Sequence, residues 1–291
     1  MSKSLIFLTI ASLLFINCKD SNKNQDISLI FPVGMVWVEG KSYTKGAKTE
    51  DPYAMMREKP SHEVYVDGFF IDETEVTNNQ FQKFIEETGY VTVAERQIDW
   101  NEMKKNLPVN TPKPHDSLLQ PGSLIFNKDI ESVVNMDNYF QWWKWQIGAS
   151  WKSPTGPGSN IEGKGNYPVV HVAYEDALAY CKWSNRKLPT EAQWESAAQG
   201  NYDKAVFTWG SEVNLLNTNA NTWQGDFPTK NESIDGFEMI APVKSFSPNS
   251  IGVYDMIGNV WEITDDLFNV NYYCLLYTSD AADDTPCVDL G

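Results

Sequence analysis

No stretch of this chain keeps one apolar period for long, and that restricts what it can fold into more than any other feature. Helical spacing holds over YEDALAYCKWSN and LPTEAQWESAAQG and then breaks, and two-residue alternation holds over HEVYVDGFFIDETEVT and then breaks. Short elements bury little by themselves. The chain offsets this with 11 tryptophans, 13 tyrosines and 14 phenylalanines among 291 residues. Large rings pack loops where long helices would otherwise do so. The pattern predicts a single α+β domain, loop-rich and low in regular secondary structure.

Local chemistry places the elements. MVWVEGKSYTKGA alternates through Val36, Val38 and Tyr43 around Gly40, as a hairpin does. Residues 62–77 alternate through Val64, Val66, Phe69 and Ile71. Thr77 and Gln80 have capping-box spacing, Phe81, Phe84 and Ile85 share a face, and Gly89 supplies the stop. A second helix aligns Tyr174, Ala177, Leu178 and Cys181, which turns Cys181 toward the core. A third starts at Thr190 with Gln193, packs Trp194, Ala197 and Ala198 inward, and ends at Gly200. Residues 99–128 read as a polar insertion. WWKWQIGASWKSPTGPG sets Trp142, Trp143, Trp145 and Trp151 beside a Pro/Gly loop. Tryptophan-rich loops of this length are functional rather than disordered. His171, in the apolar PVVHVAY, reads as a core histidine, and His62 and His115 have no partner at metal-ligand spacing.

A net charge of −16 argues against a nucleic-acid partner, because phosphate contacts need clustered Lys and Arg. At the N-terminus, Lys3 precedes the apolar run LIFLTIASLLFIN, closed by Cys18. Spanning a bilayer takes roughly twenty apolar residues, and this run is shorter, as in a secretory signal. Residues 1–17 are therefore expected to be a lipoprotein-type signal peptide, with Cys18 lipidated and residues 18–29 a flexible tether. The protein is expected to be exported, a membrane-anchored lipoprotein facing the periplasm or cell surface. At the other end CLLYTSDAADD breaks the pattern of what precedes it and looks like a translated sequencing adapter. Residues 274–291 are therefore expected to be an artefact. That sets Cys274 and Cys287 aside and leaves Cys181 alone in the body.

Several phrases resemble, in order, the formylglycine-generating enzyme family, also called the sulfatase-modifying factor domain. They are MVWVEGKSYTKG, VDGFFIDETEVTNNQFQKFIEETGYVTVAE, WWKWQIGASWKSPTGPGSNI, YPVVHVAYEDALAYCKWSNRKLPTEAQWESAAQG, NTWQGDFP and GVYDMIGNVWE. The likeness runs over residues 30–273 and implies a distantly C-type-lectin-like fold. It also implies an activity: oxidation of a cysteine in a client sulfatase polypeptide to formylglycine, with dioxygen and copper. Copper(I) would be held by two soft thiolates near the family's C-terminus. These are expected beyond Tyr273, so the domain here would lack that part, no catalytic residue is assigned, and the chain as written is expected to be inactive. In relatives the counterpart of Cys181 can be disulfide-bonded to a C-terminal cysteine; the other reading is a reduced core cysteine.

The resemblance further implies two structural calcium sites built from hard oxygens. Asn221 and Asp235 would contribute side chains to the first, with the carbonyls of Thr222 and Phe237. Asp255 and Glu262 would contribute side chains to the second, with the carbonyls of Gly258 and Val260. Asp255 stands where relatives often carry an amide. Trp142, Trp143, Trp145 and Trp151 read first as core residues; the alternative is that Trp142, Trp143 and Trp151 line a groove for the substrate peptide. The rival expectation is a non-catalytic lipoprotein of the same fold, a structural part of a gliding or secretion machinery. A sulfoxide-synthase-like reading would need a histidine-based iron site, which three scattered histidines do not supply.

Overall fold

Two strand–turn segments of the N-terminal third lie antiparallel in one long, interrupted ribbon. β1 (Met35–Val38) pairs with β4 (Phe69–Asp72), and β2 (Lys41–Lys45) pairs with β3 (His62–Val66). Both pairings share one register, Met35 facing Asp72 and Lys41 facing Val66. The expected hairpin around Gly40 is thus corrected: β1 and β2 do not pair with each other but run consecutively against β4 and β3. The reason is steric. A Cβ on Gly40 would meet the Gly68 nitrogen at 2.7 Å, so the two glycines let the backbones cross where a turn would otherwise form. The structure, a computed structural model, describes residues 32–47, 51–202, 205–269 and 272–273. The leader over 1–17, Cys18, the tether over 18–29 and the tail over 274–291 lie outside those residues.

Helix α1 (Asn78–Thr88) begins at Thr77, whose hydroxyl accepts from the Gln80 N–H while Gln80 returns the bond to the Thr77 N–H. It stops at Gly89, in the left-handed conformation. A short α2 (Trp100–Met103) lies in the insertion, which also contributes β5 (Gly122–Phe126). β5 pairs with β6 (Trp143–Ile147), so the start of the tryptophan-rich segment is a strand. α3 (Tyr174–Trp183), α4 (Glu191–Gln199) and a short α5 (Leu216–Asn219) complete the helices. α4 starts with the predicted capping box at Thr190.

Two cores hold these pieces. Val38, Ala197, Val253 and Met256 form one, with Val36, Phe69, Ile71, Trp194 and Ala198 packed around it. This places β1, β4 and α4 against the segment that leads into GNVWE. Phe81, Phe84, Trp151 and Tyr180 form the other, joining α1, α3 and the Trp/Gly loop. Phe81 meets Trp151 edge-on at 5.5 Å and stacks on Tyr180 at 6.0 Å, and Phe84 meets Tyr180 edge-on at 5.7 Å. Each such ring contributes about 1.5–3 kcal/mol by leaving water.

The α3 stripe needs correction. Tyr174 and Leu178 are exposed, Cys181 is half-buried and free, and the buried face carries Asp176 and Tyr180 instead. The aromatic cluster claims Tyr180 and Trp183, and hydrogen bonding rather than hydrophobicity buries Asp176. His171 is a satisfied interior histidine, as expected, but in a left-handed turn rather than a strand. Its Nε2 donates to Pro154 O (2.8 Å), so Nδ1 accepts from the Ser123 hydroxyl (2.9 Å). Burial lowers its pKa, in keeping with that neutral tautomer.

Candidate functional site

The two loops expected to bind cations lie side by side. Asn221 bridges to Gly258 in parallel, and the Asn259 N–H donates to Asn221 O (2.9 Å). Gly258 must be glycine here: φ is 81°, and a Cβ would strike the Asn221 carbonyl.

In the first loop the structure brings Thr222, Asp235 and Phe237 together around one carboxylate. Asp235 accepts from the Thr222 N–H (2.9 Å), the Phe237 N–H (2.9 Å) and the Gln224 amide (2.7 Å). That same Gln224 amide nitrogen also donates to the Thr222 carbonyl. A single protic group thus spans two of the expected oxygen ligands, Thr222 O and Asp235, as a cation would. Asn221 is buried and tied to Met239 O (2.7 Å) and Asn259 Oδ1 (2.9 Å).

The second loop is more strongly charged than its sequence suggests. Asp255, in a left-handed turn, accepts from the Lys244 N–H (2.8 Å). Burial raises its pKa, against that bond and a hydrogen bond shared with Glu75. Glu262 is exposed as a residue, yet desolvation of its carboxyl pushes it up to about 7, opposed by the Trp194 indole and reinforced by Asp255. The third acid, Glu75, was not anticipated. It is buried between β4 and α1, with Oε1 accepting from Asn259 Nδ2 (3.0 Å) and Oε2 facing no donor among the described residues. Burial, then Asp255 and Glu262, push Glu75 up to about 8. Three crowded acids, one of them with a buried oxygen that faces no donor among the described residues, suit a hard cation. They are not drawn into a tight cage, since among the described residues no three His, Cys, Asp or Glu side chains converge as a metal-binding group. Backbone carbonyls at Gly258 and Val260 would have to complete the shell.

Of the three groove tryptophans, Trp142 and Trp151 are buried, the first against Phe227 and the second against Phe81. Trp143 is half-buried and lies 6.5 Å from Trp261, which is 94% exposed in the GNVWE turn. Trp145 is exposed on the same strand. The open aromatic surface is therefore Trp143, Trp145 and Trp261, beside the second cation loop. Alternation along β6 separates Trp143 and Trp145 from the buried Trp142, a signal that strand pairing makes visible.

The profile described as Sulfatase-modifying factor enzyme 1-like domain matches residues 29–287. A mouse protein named formylglycine-generating enzyme is 38% identical over 241 residues, 82% of this chain and 59% of the mouse protein. The chain therefore spans less than two thirds of that relative. The protein of that name from Mycobacterium tuberculosis is 40% identical over 238 residues, 80% of this chain and 74% of the relative. A cattle protein named inactive C-alpha-formylglycine-generating enzyme 2 is 37% identical, covering 80% of this chain and 70% of the relative. Among solved structures, PvdO from Pseudomonas aeruginosa shares the fold, with a TM-score of 0.53 at 22% identity, covering 81% of this chain and 71% of PvdO. With the profile matched over residues 29–287 and 40% identity over 238 residues to one relative, the chain belongs to the sulfatase-modifying factor enzyme 1-like domain family.

Proposed function

We propose that the full-length protein oxidises a cysteine of a sulfatase polypeptide to formylglycine, using dioxygen and copper, with the copper thiolates outside the described residues. The observation that carries this reading is the 40% identity over 238 residues to a protein named formylglycine-generating enzyme. The described residues do not themselves fit copper(I). Their one cysteine, Cys181, is half-buried, and burial raises its thiol pKa, the opposite of what a thiolate ligand needs. What these residues offer is an aromatic surface, Trp143, Trp145 and Trp261, against which an extended peptide would lie. We further infer a lipid anchor at Cys18, exported with the protein.

The test is aldehyde formation in a cysteine-containing sulfatase peptide, captured by an aminooxy probe and located by mass spectrometry. Aldehyde that appears only with copper and air supports the reading. A protein that binds copper yet leaves the thiol intact in air would move it to the rival, a non-catalytic lipoprotein of an assembly. The cattle relative named inactive keeps that rival in view.

We also propose that calcium occupies both loops, held by Asn221, Thr222, Asp235 and Phe237 and by Asp255, Gly258, Val260 and Glu262. Its charge would offset the crowded carboxylates and tie loops that share little core. The pH dependence follows in sign. Glu75 holds its proton to about 8 when folded, against an ordinary 4.5. The contribution of Glu75 to stability without divalent ions is thus fully present below about pH 4.5 and is lost as pH rises through about 8. In EDTA the melting temperature should be several degrees lower at about pH 8 than at about pH 5, and calcium should restore it. Asp235→Ala should remove part of the calcium-dependent rise. Melting curves that ignore calcium at both pH values would end this proposal.

A further inference from the structure

Away from the two loops, one lysine is buried as deeply as the core. Lys45, at the end of β2, is 3% exposed. Its Nζ donates to Glu191 Oε2 at the start of α4 (2.6 Å) and to the Tyr273 hydroxyl (2.8 Å). It also lies 4.4 Å from the centre of the Tyr273 ring and 5.3 Å from that of Tyr272. Burying an ammonium is costly unless pairing and hydrogen bonds replace its water. Here one carboxylate, one phenol and two ring faces do so.

The surroundings are shaped to receive Tyr273, which is itself buried. Gly46 has a left-handed φ of 83°, and a Cβ there would sit 2.6 Å from the Tyr273 ring. The His62 ring meets the Tyr273 ring edge-on at 5.1 Å. Glu195, one turn along α4 from Glu191, accepts from the Gly46 N–H (2.8 Å) and holds the ribbon end against the helix. Tyr43 donates to Ala192 O (2.7 Å), a second ribbon-to-helix tie. A glycine, a histidine edge and a buried cation thus converge on one phenol from two distant parts of the chain.

We propose that Lys45 is the pin of a latch: it seats Tyr273 in a socket between the β2–β3 ribbon and α4, and so holds the segment that carries Tyr272 and Tyr273 against both. A structural ion pair with Glu191 alone would not need the room at Gly46 or the approach to both tyrosines. Glu191 is half-exposed, so water could solvate it without Lys45. The latch goes beyond the proposed oxidation and stands or falls independently of it.

Hydrogen exchange by mass spectrometry on the full chain tests it. The Tyr272 N–H donates to Asn269 O (3.0 Å), so a peptide ending at Tyr273 reports the latch, and a peptide from α1 reports global stability. Lys45→Met keeps the stem and removes the charge. It should speed exchange in the Tyr272 peptide about tenfold while leaving α1 unchanged. Tyr273→Phe, which keeps the ring and loses the hydroxyl, should give a smaller rise at the same place. If Lys45→Met does not fold, Tyr273→Phe and Tyr273→Ala carry the test, with Ala the faster. Exchange at Tyr272 that is unchanged in these variants, or that rises only in step with α1, would overturn the latch.

Discussion

Asp176→Ala is expected to cost about 4 kcal/mol of folding stability, more than any aromatic deletion at the surface. The carboxylate is fully buried and reaches back from the third position of α3 to accept from the N–H of the N-cap residue, Ala173 (2.9 Å). Its other oxygen accepts from the Val93 N–H and the Tyr90 hydroxyl, both at 3.0 Å. Tyr90 in turn accepts from Arg96 (2.7 Å), whose Nη2 lies 4.0 Å from Asp176. Alanine would remove the shared buried acceptor of two backbone donors and a phenol, and leave Arg96 with only the exposed Glu175 (3.0 Å) as counter-charge. Asn at this position keeps the size and one acceptor, so Asp176→Asn should lose only about half as much. In a domain of this size 4 kcal/mol corresponds to a melting temperature lower by about 8–16 °C. Urea unfolding should show the loss with an unchanged slope. A cost under about 1 kcal/mol for the alanine variant would mean that water reaches the site and the network is not what buries it.

That residue also marks where sequence reading stops. Thr77 and Thr190 were legible because a cap and its reciprocal bond lie within three residues of each other. Alternation through Val64, Val66, Phe69 and Ile71 was legible for the same reason: each strand writes its own period. The partner of β1 was not, because register depends on which glycines allow backbones to cross, and Gly40 meets Gly68 only after folding. The face of α3 was misjudged because apolar spacing cannot see a carboxylate buried by hydrogen bonds from residues 83 and 86 positions away. The loops behave alike. Asn221, Asp235, Asp255 and Glu262 came from resemblance, with no local spacing to announce them. Glu75 could not be found at all, since Asn259, the residue that holds it, is 184 positions away.

Asn259 carries the second large prediction, because one amide joins four segments. Its Oδ1 accepts from the Asn221 amide and the Ala241 N–H, both at 2.9 Å. Its Nδ2 donates to Glu75 (3.0 Å) and Ala241 O (3.3 Å), and its backbone sits at a φ of 57°, where asparagine is tolerated and most residues are not. Asn259→Asp changes no volume. It replaces the donor to Glu75 with a negative charge, next to a carboxyl already pushed up to about 8 by burial and by Asp255 and Glu262. The expected cost is about 3–5 kcal/mol near pH 8, the range for an uncompensated buried charge. It should shrink at about pH 5, where protonated carboxyls relieve the repulsion. Asn259→Gly suits the backbone but loses the bonds, so it should cost about 2–3 kcal/mol with little pH dependence. Paired melts at the two pH values separate these outcomes. An Asp variant whose deficit is the same at both would show that Glu75 does not sense this position. Because Asn259 also anchors Asn221 through Oδ1, an acceptor that Asp keeps and Gly loses, Asn259→Gly should weaken the first cation loop together with the second. A calcium-induced rise that survived in full would show that the two loops are independent.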